Sequence, residues 1–228
     1  MNGIQSVLTW VAAASAAGFL LSLVFAGLLR LRRNIFLIFY IPLTAALFAA
    51  FVIVEDIDLA GLVSRNWIWG LAAAAVVSVI AVRNVLAQPS SPRRRGAALL
   101  LDILWPGIAY GLIDGLLISV IPVAVVYEEL SGASWAAGAA GRMELGAIAL
   151  AASFLVAGIY HAGYPEFRGK NILWAIFGNG LMSLAYIVTA NPLAAVLPHI
   201  AMHVASMIHG RETTVQLPPH YDAPRESG

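Results

Sequence analysis

The side chains that could carry out acid–base or metal chemistry lie in an apolar stretch between residues 127 and 210. They are two adjacent glutamates and three histidines: Glu128, Glu129, His161, His199 and His203. His199 and His203 are four residues apart, so on a helix they share one face, and two such imidazoles can bind one metal ion. A carboxylate in an apolar pocket can act as a general base towards water. Such groups are costly in hydrocarbon, so each is a hypothesis about function.

Each candidate also has a structural interpretation. Glu128 and Glu129 point about 100° apart on a helix, so at most one projects into a shared site, and both can instead cap a helix end at the membrane surface. The histidine pair can hydrogen-bond a neighbouring helix, and His161 can lie at the membrane interface. Asp114 either pairs with another helix or lines a cavity, and nothing in the sequence indicates its partner. Asn179, between two glycines, indicates close helix packing.

The composition is that of an integral membrane protein. Of the 228 residues, 61% are hydrophobic and 11% are charged, whereas an ordinary soluble domain has roughly 25% charged residues. The 13 basic and 12 acidic residues nearly cancel, so the net charge does not indicate a nucleic-acid partner. The chain has no cysteine. Disulfides, iron–sulfur clusters and thiol nucleophiles are therefore excluded, and any metal must be held by His, Asp or Glu.

Membrane-spanning helices of about 20 mostly apolar residues each must position the candidates. The sequence therefore predicts an all-α helix bundle. Six of its spans are clear: Val7 to Leu29, Ile35 to Val54, Trp67 to Val82, Leu145 to Ala162, Asn171 to Thr189 and the shorter Pro192 to Ile208. The polar segment after residue 210 predicts a disordered tail.

The stretch from Ala97 to Gly141 can be divided in two ways. In the first, an interfacial helix ends near Trp105 and one long span follows, which gives seven spans in all. In the second, two spans run from Ala98 to Gly115 and from Leu116 to Gly138, which gives eight and places the glutamates inside the second of them.

Basic residues favour the cytoplasmic side of a membrane. Both divisions place Arg30 to Arg33 and Arg93 to Arg95 there. Only the seven-span division adds Arg168, Lys170 and Arg211 to that side. Charge therefore favours seven spans.

Three motifs follow one another in the second half of the chain: VVYEELSG, GIYHAGYPEF and VTANPLAAVLPHIAMH. Paired glutamates precede a break, a histidine lies near the end of the next helix, and a turn with threonine, asparagine and proline leads into a helix with His-x3-His. In this order they resemble the CPBP family of intramembrane proteases, which includes CAAX prenyl endopeptidases and bacteriocin-processing or self-immunity proteins. The family pattern is EExxxR, then FxxxH, then HxxxN, and the resemblance covers about Gly107 to Gly210.

The resemblance implies roles for the five candidates. Glu128 and Glu129 become the paired glutamates, one of which activates the hydrolytic water, and His161 becomes the histidine of the second motif. His199 becomes the histidine of the third motif. His203 takes the asparagine position, where an imidazole can still donate a hydrogen bond or bind a metal. The implied cofactor is a divalent metal such as zinc, held by the three histidines.

Two positions depart from the family pattern. The arginine expected five residues after Glu128 is Ala133, and the phenylalanine expected four residues before His161 is Ala157. The first change removes a cation that could fix a glutamate. A divergent or inactive family member is therefore an alternative.

The resemblance implies a multi-pass protein of the cell membrane that hydrolyses a membrane-embedded peptide or protein substrate. The alternatives are a non-catalytic immunity or scaffold protein, or a small proton-coupled transporter. The predicted organisation is three membrane helices in residues 1–96, a CPBP-like bundle in 97–210 and a tail in 211–228. Because the family gathers its glutamates and histidines around one water-filled cavity, the resemblance favours eight spans, against the charge evidence.

Overall fold

The computed structural model describes residues 3–220, which fold into eight α-helices without any β-strand. The helices are α1 (Gly3–Leu28), α2 (Arg33–Val54), α3 (Leu59–Ser64), α4 (Trp67–Leu86), α5 (Ala97–Leu130), α6 (Gly138–Ala162), α7 (Asn171–Thr189) and α8 (Leu193–His209). Six of them are long and apolar enough to cross a membrane, and α8 is a shorter apolar helix. The predicted all-α, multi-pass helix bundle is confirmed.

Successive long helices run in opposite directions, so their ends define two faces. The Glu55 face holds the end of α2, the start of α1 and the end of α5, because Glu55 contacts Ser6 and Glu129. The Arg94 face holds the loop between α4 and α5, the end of α8 and the segment after it, because Arg94 and Arg211 both pair with Asp102.

Helix α5 is one continuous helix, and the division into two spans at Gly115 and Leu116 is wrong. Two π-helical segments, Ile103–Ala109 and Leu116–Val120, lie within it, and the helix continues although Pro106 lies in the first of them. In its most apolar window 78% of the residues are buried, against 22–39% in the other long helices. Helix α5 is therefore central, and its apolar length reflects burial among helices, not two lipid-facing spans.

The seven apolar helices distribute the basic residues unevenly between the two faces. The Arg94 face carries the arginines of the first two predicted cytoplasmic clusters together with Arg168, Lys170 and Arg211. The Glu55 face carries Arg65 and Arg142. The number of apolar helices is that of the seven-span division, but its separate interfacial helix ending near Trp105 is wrong, because α5 continues through this residue. The positive-inside rule predicts a cytoplasmic Arg94 face.

Helix α8 packs between α4 and α5 through small residues. It runs parallel to α4, since Gly70 contacts Asn191 near one end and Gln88 contacts His209 near the other. Against α5 it runs antiparallel over a stripe of three glycines, Gly107, Gly111 and Gly115. A Cβ atom at Gly111 would lie 2.8 Å from the Cα of Ile200. The two backbones therefore approach as closely as they do because the stripe has no side chains.

One hydrophobic core joins helices on both sides of residue 97. Phe36 and Tyr40 of α2 pack with Tyr110 of α5 and Tyr160 of α6, and all four side chains are fully buried. The ring of Tyr40 is stacked on that of Tyr160 at 5.7 Å between centroids. The N-terminal helices thus form part of the wall around the candidate residues.

Residues 211–220 are packed against the Arg94 face, and the prediction of a disordered tail is wrong for them. Arg211 donates to Asp102 at 2.9 Å, and the carbonyl oxygen of Leu217 accepts from Nε of Arg33 at 2.6 Å. The side chains of Thr214 and Leu217 are fully buried. The abundance of polar residues predicted disorder, but polar groups of this segment instead bind partners on other helices. Residues 221–228 lie outside the described part of the chain.

Candidate functional site

A cavity of about 580 Å³ lies between α4, α7 and α8, towards the Arg94 face. Its wall is mostly apolar, with polar groups from five helices and from the segment after α8. The polar lining consists of Asn84, Gln88, Asp114, His161, Asn171, Asn179, His199, His203 and Gln216. Trp174 and Ile80 line it too and are 73% and 49% exposed, so the cavity reaches the lipid-facing surface between α4 and α7.

The structure brings the three predicted histidines together at this cavity. His199 and His203 come from adjacent turns of α8 and are 2% and 1% exposed, and half-buried His161 comes from the last turn of α6. The rings lie close enough to interact electrostatically. The spacing of His199 and His203 therefore does place them on one helix face, as predicted.

Backbone hydrogen bonds fix two of the imidazoles. Nδ1 of His161 donates to the carbonyl oxygen of Ala157 at 2.7 Å, and Nδ1 of His199 donates to that of Ala195 at 3.0 Å. In a neutral imidazole the proton on one nitrogen leaves the other with a lone pair. Nε2 of both rings is therefore available to accept a proton from a molecule in the cavity.

The carboxylate of this site is Asp114, not a glutamate. Its Oδ1 accepts from the hydroxyl of Tyr40 at 2.6 Å and from that of Tyr160 at 3.2 Å, and its Oδ2 lies 3.6 Å from Nε2 of His203. The side chain is 5% exposed. Asp114 thus both lines a cavity and pairs with other helices, the two alternatives that the sequence left open.

Four buried tyrosines surround this carboxylate. The hydroxyls of Tyr110, Tyr160 and Tyr164 bond to one another at 2.8–3.2 Å, and Tyr160 links this cluster to Asp114. The ring of Tyr110 meets that of His203 edge to face at 4.6 Å. Burial raises the pKa of Tyr164, at the membrane boundary, well above its ordinary value, so it remains a neutral donor.

A second polar cluster borders the cavity at the π-helical segment of α5. The carbonyl oxygen of Ile118 accepts from Ser153 at 2.7 Å and from the amide of Asn179 at 3.2 Å. Ser119 donates to Asn179 at 2.8 Å. A π segment frees carbonyl groups from the regular helix ladder, and side chains can then bond them. The close packing predicted for this region occurs at Gly180, where an added Cβ atom would collide with the ring of Phe154. Asn179 itself connects α7 to α5 through its hydrogen bond to Ile118.

The structure does not bring Glu128 and Glu129 to the histidines. Glu128 is exposed, and Glu129 contacts Glu55 at the opposite face. Glu128 follows Asp114 by 14 residues on the same helix, which is about 21 Å along the axis. The two-span division would have turned the chain back and allowed contact. Because α5 is continuous, it ends with the paired glutamates at the Glu55 face. The glutamates therefore lie at a helix end, as the structural interpretation of the pair predicted.

The two departures from the family pattern also lie apart. Ala133 follows α5 in the loop at the Glu55 face, so an arginine there would not reach the cavity histidines. Ala157 lies one turn before His161, and its carbonyl accepts the Nδ1 proton of that ring. The second position therefore supports the site through its backbone.

The three histidines and Asp114 are the candidate ligands for a metal ion at this cavity. A catalytic zinc site keeps three protein ligands around one point. Within residues 3–220 no group of three or more His, Asp or Glu side chains is arranged to hold a metal ion. As these side chains stand they do not form such a centre, and metal binding by the histidines remains a prediction of the resemblance.

The fold and the cavity define a multi-pass helical membrane protein with buried acid–base groups facing an internal cavity. Comparison with known protein families, with characterised proteins and with solved structures finds no match.

Sequence reasoning missed the central place of Asp114 and of the tyrosines. One signal was present: Asp114 stands directly before the last glycine of a GxxxGxxxG pattern, Gly107-x3-Gly111-x3-Gly115. Such a pattern marks the face of a membrane helix that packs on another helix. An acid beside that stripe is predicted to lie in a helix interface and not towards lipid.

Proposed function

We propose that this protein is an intramembrane hydrolase that cleaves a peptide segment entering the cavity from the lipid. The observation that supports it is the presence of His161 and His199 in one membrane-embedded cavity, each with Nε2 free to accept a proton. In this proposal His199 activates the water, the role that the resemblance to CPBP proteases gave to a glutamate, and Asp114 is the carboxylate that supports the histidines.

The chemistry requires a base for water and an acid for the leaving group. Nε2 of His199 accepts a proton from a water molecule, and the hydroxide attacks the carbonyl carbon of the peptide bond. The imidazolium then returns the proton to the nitrogen of the leaving amine as the carbon–nitrogen bond breaks. The carboxylate of Asp114, paired with His203 one turn away, stabilises the positive charge on this helix while His199 is protonated.

The cavity wall favours an apolar substrate. Val77, Ile118, Trp174 and Met182 are among its lining residues, and the exposed ones open it towards the lipid. A hydrophobic peptide segment loses little solvation free energy when it moves from lipid to such a wall. Its scissile bond at the same time comes into contact with polar groups. The substrate class is therefore a membrane-embedded peptide or protein.

The test is cleavage of a library of apolar peptides by the purified protein reconstituted in liposomes. His199→Gln and Asp114→Asn are expected to lower the rate at least about a hundredfold, because each removes a proton-transfer or charge-stabilising group. Glu128→Gln is the matched control and is expected to cleave at the wild-type rate, since Glu128 is exposed at the opposite face.

Two results contradict the proposal. If folded wild-type protein cleaves nothing, the chain acts as a non-catalytic membrane protein. If Glu128→Gln abolishes cleavage while Asp114→Asn retains it, the site lies at the paired glutamates and not at this cavity.

A further inference from the structure

The segment after α8 forms part of the cavity wall at the Arg94 face. Val215, Gln216 and Pro218 line the cavity there, together with Asn84 and Gln88 from the last turns of α4. Residues 211–220 form neither a helix nor a strand. We propose that this segment is a lid, and that its middle part opens to connect the cavity with the aqueous side of the Arg94 face.

Both ends of the lid are held by charged groups and by buried side chains. At its start, Arg211 donates to Asp102 of α5 at 2.9 Å, and the side chain of Thr214 is fully buried. At its end, Leu217 is fully buried, and its carbonyl oxygen accepts from Nε of Arg33 at 2.6 Å. Hydrogen bonds from a guanidinium group are stronger than those between neutral groups, so the two ends stay in place.

The middle of the lid is held by a single side chain of α4. Gln88 donates from Nε2 to Oε1 of Gln216 at 2.9 Å, and its Oε1 accepts from the backbone N–H of Val215 at 3.0 Å. Both bonds join neutral groups, and Val215 is 46% exposed. Such bonds contribute little net stability where water can replace them, so this part opens more easily than the ends. Gln88 is therefore the latch of the lid.

An opening at this place would complete the proposed hydrolysis. The opening between α4 and α7 faces lipid and admits an apolar peptide. Hydrolysis consumes a water molecule and leaves a new amino group and a new carboxylate, which are charged and costly in lipid. A path to the aqueous side supplies the water and lets a charged product end leave. This role rests on the proposed hydrolysis, whereas the opening of the lid does not, so the two can fail separately.

The experiment measures how fast a cysteine inside the cavity reacts with charged reagents. Ala81 lines the cavity seven residues before Gln88, two turns away on the same face of α4. Because the chain has no cysteine, Ala81→Cys introduces its only thiol. The full chain, in an uncharged detergent, is treated with a negatively charged methanethiosulfonate and, separately, with a positively charged one. The detergent covers the lipid-facing opening, so both reagents must enter from the aqueous side.

The latch variants are made in this Ala81→Cys chain. Gln88→Glu removes the donor to Gln216 and is expected to speed the reaction with both reagents about tenfold or more. Gln216→Ala removes the same bond from the other side and is expected to act in the same direction. Gln88→Glu combined with Gln216→Lys places opposite charges at the latch and is expected to slow both reactions again.

Asn84→Asp is the matched control, because it adds the same charge at the same end of the cavity. The Asn84 side chain bonds Gln88 and, within residues 3–220, no group of the lid. A change of charge alone is expected to slow the negatively charged reagent and to speed the positively charged one. A second control, Arg95→Cys, is exposed outside the cavity and should react at the same rate in every variant.

The outcomes separate a lid from its alternatives. If Gln88→Glu changes neither rate, or changes the two rates in opposite directions as Asn84→Asp does, Gln88 is not a latch. If Ala81→Cys reacts as fast as Arg95→Cys while Gln88 is intact, the cavity is already open and the segment is not a lid. Unfolding curves verify that each variant is folded before its rates are compared.

Discussion

The polar groups around the buried carboxylate of Asp114 come from three other helices. The hydroxyls of Tyr40 and Tyr160 and the imidazole of His203 approach it from α2, α6 and α8. A buried carboxylate without donors is costly, so these contacts stabilise the fold as well as the site. Each of them depends on the tertiary arrangement.

Replacing Tyr40 by Phe is expected to lower the free energy of unfolding by about 1–3 kcal/mol, because Oδ1 of Asp114 loses its shorter donor while remaining buried. Denaturant unfolding in detergent micelles measures the change. Tyr186→Phe is the matched control, because Tyr186 is also buried and its hydroxyl bonds no residue among 3–220. Equal losses in the two variants would mean that the Tyr40 hydroxyl does not support Asp114.

Glu55 gives a pH-dependent contribution at the opposite face. Its partial burial raises its pKa, but hydrogen bonds from Ser6 and Trp10 lower it further, so the net shift is below the ordinary value of 4.5. A depressed carboxyl pKa stabilises the folded state above the unfolded pKa, and this stabilisation is lost as the pH falls through the folded pKa.

Ser6→Ala is therefore expected to be less stable than the wild type at neutral pH, with a difference that disappears as the pH falls through the lowered pKa of Glu55. Thermal unfolding across a pH series measures it. Ser15→Ala serves as control, since the buried hydroxyl of Ser15 has no hydrogen-bond partner in the described residues. A pH-independent effect of Ser6→Ala would show that Glu55 is not its point of action.

The candidate site could be predicted from the sequence only as far as local spacing reaches. The histidine pair follows from its four-residue spacing, and the apolar surroundings mark all three histidines. The acid could not be assigned, because the adjacent glutamates match a known motif while Asp114 acquires its partners from residues 74 and 46 positions away. Sequence separation of that size leaves no periodic signal.

The contact between α5 and α8 depends on a stripe of three glycines. Their spacing of four places them on one face, and the backbone of α8 at His199 and Ile200 lies directly over Gly111. The same face of α8 carries the cavity histidines towards Asp114. Close packing of these two helices is thus what brings acid and base together.

Gly111→Ala is expected to destabilise the protein by about 1–3 kcal/mol, because a Cβ there meets backbone atoms that cannot move alone. Gly178→Ala in α7 is the matched control. Its Cβ would meet nothing within 4 Å, and alanine is the better helix former by up to about 1 kcal/mol. Opposite signs in unfolding measurements are expected, and a stabilising Gly111→Ala would contradict the packing.

The helices could be predicted from the sequence more completely than their irregularities. Hydropathy gives six spans, because a membrane helix must be apolar over a fixed length. Their ends agree with the helices to within four residues, except that α6 begins at Gly138, seven residues before the predicted Leu145. Hydropathy did not show that the stretch from Ala97 to Leu130 is continuous, since burial among helices and contact with lipid select the same apolar residues. The π-helical segments that let α5 continue have no sequence signature comparable to a turn.

The seven apolar helices place most basic residues on one face, so the orientation of the whole protein can be tested. The chain has no cysteine, and each introduced cysteine is therefore unique. Under the positive-inside rule, Asp56→Cys should react with a membrane-impermeant maleimide in intact cells, whereas Arg95→Cys should not.

Lys170→Cys distinguishes the two topologies. It is expected to stay unreactive until the membrane is permeabilised, because the loop between α6 and α7 lies on the same face as Arg95. An eight-span chain would expose it outside. Labelling of Lys170→Cys in intact cells, with Arg95→Cys still protected, would contradict the seven-helix arrangement.

The central position of α8 has a consequence for biosynthesis. Helices α4, α5 and α7 all contact α8, yet α8 is the last of these helices to leave the ribosome. Until it arrives, the glycine stripe of α5 and the carboxylate of Asp114 have no partner on that side. Helix α8 is short and carries two buried histidines, so its own apolarity favours insertion weakly. Its entry into the membrane therefore depends on the surface that the earlier helices have already assembled.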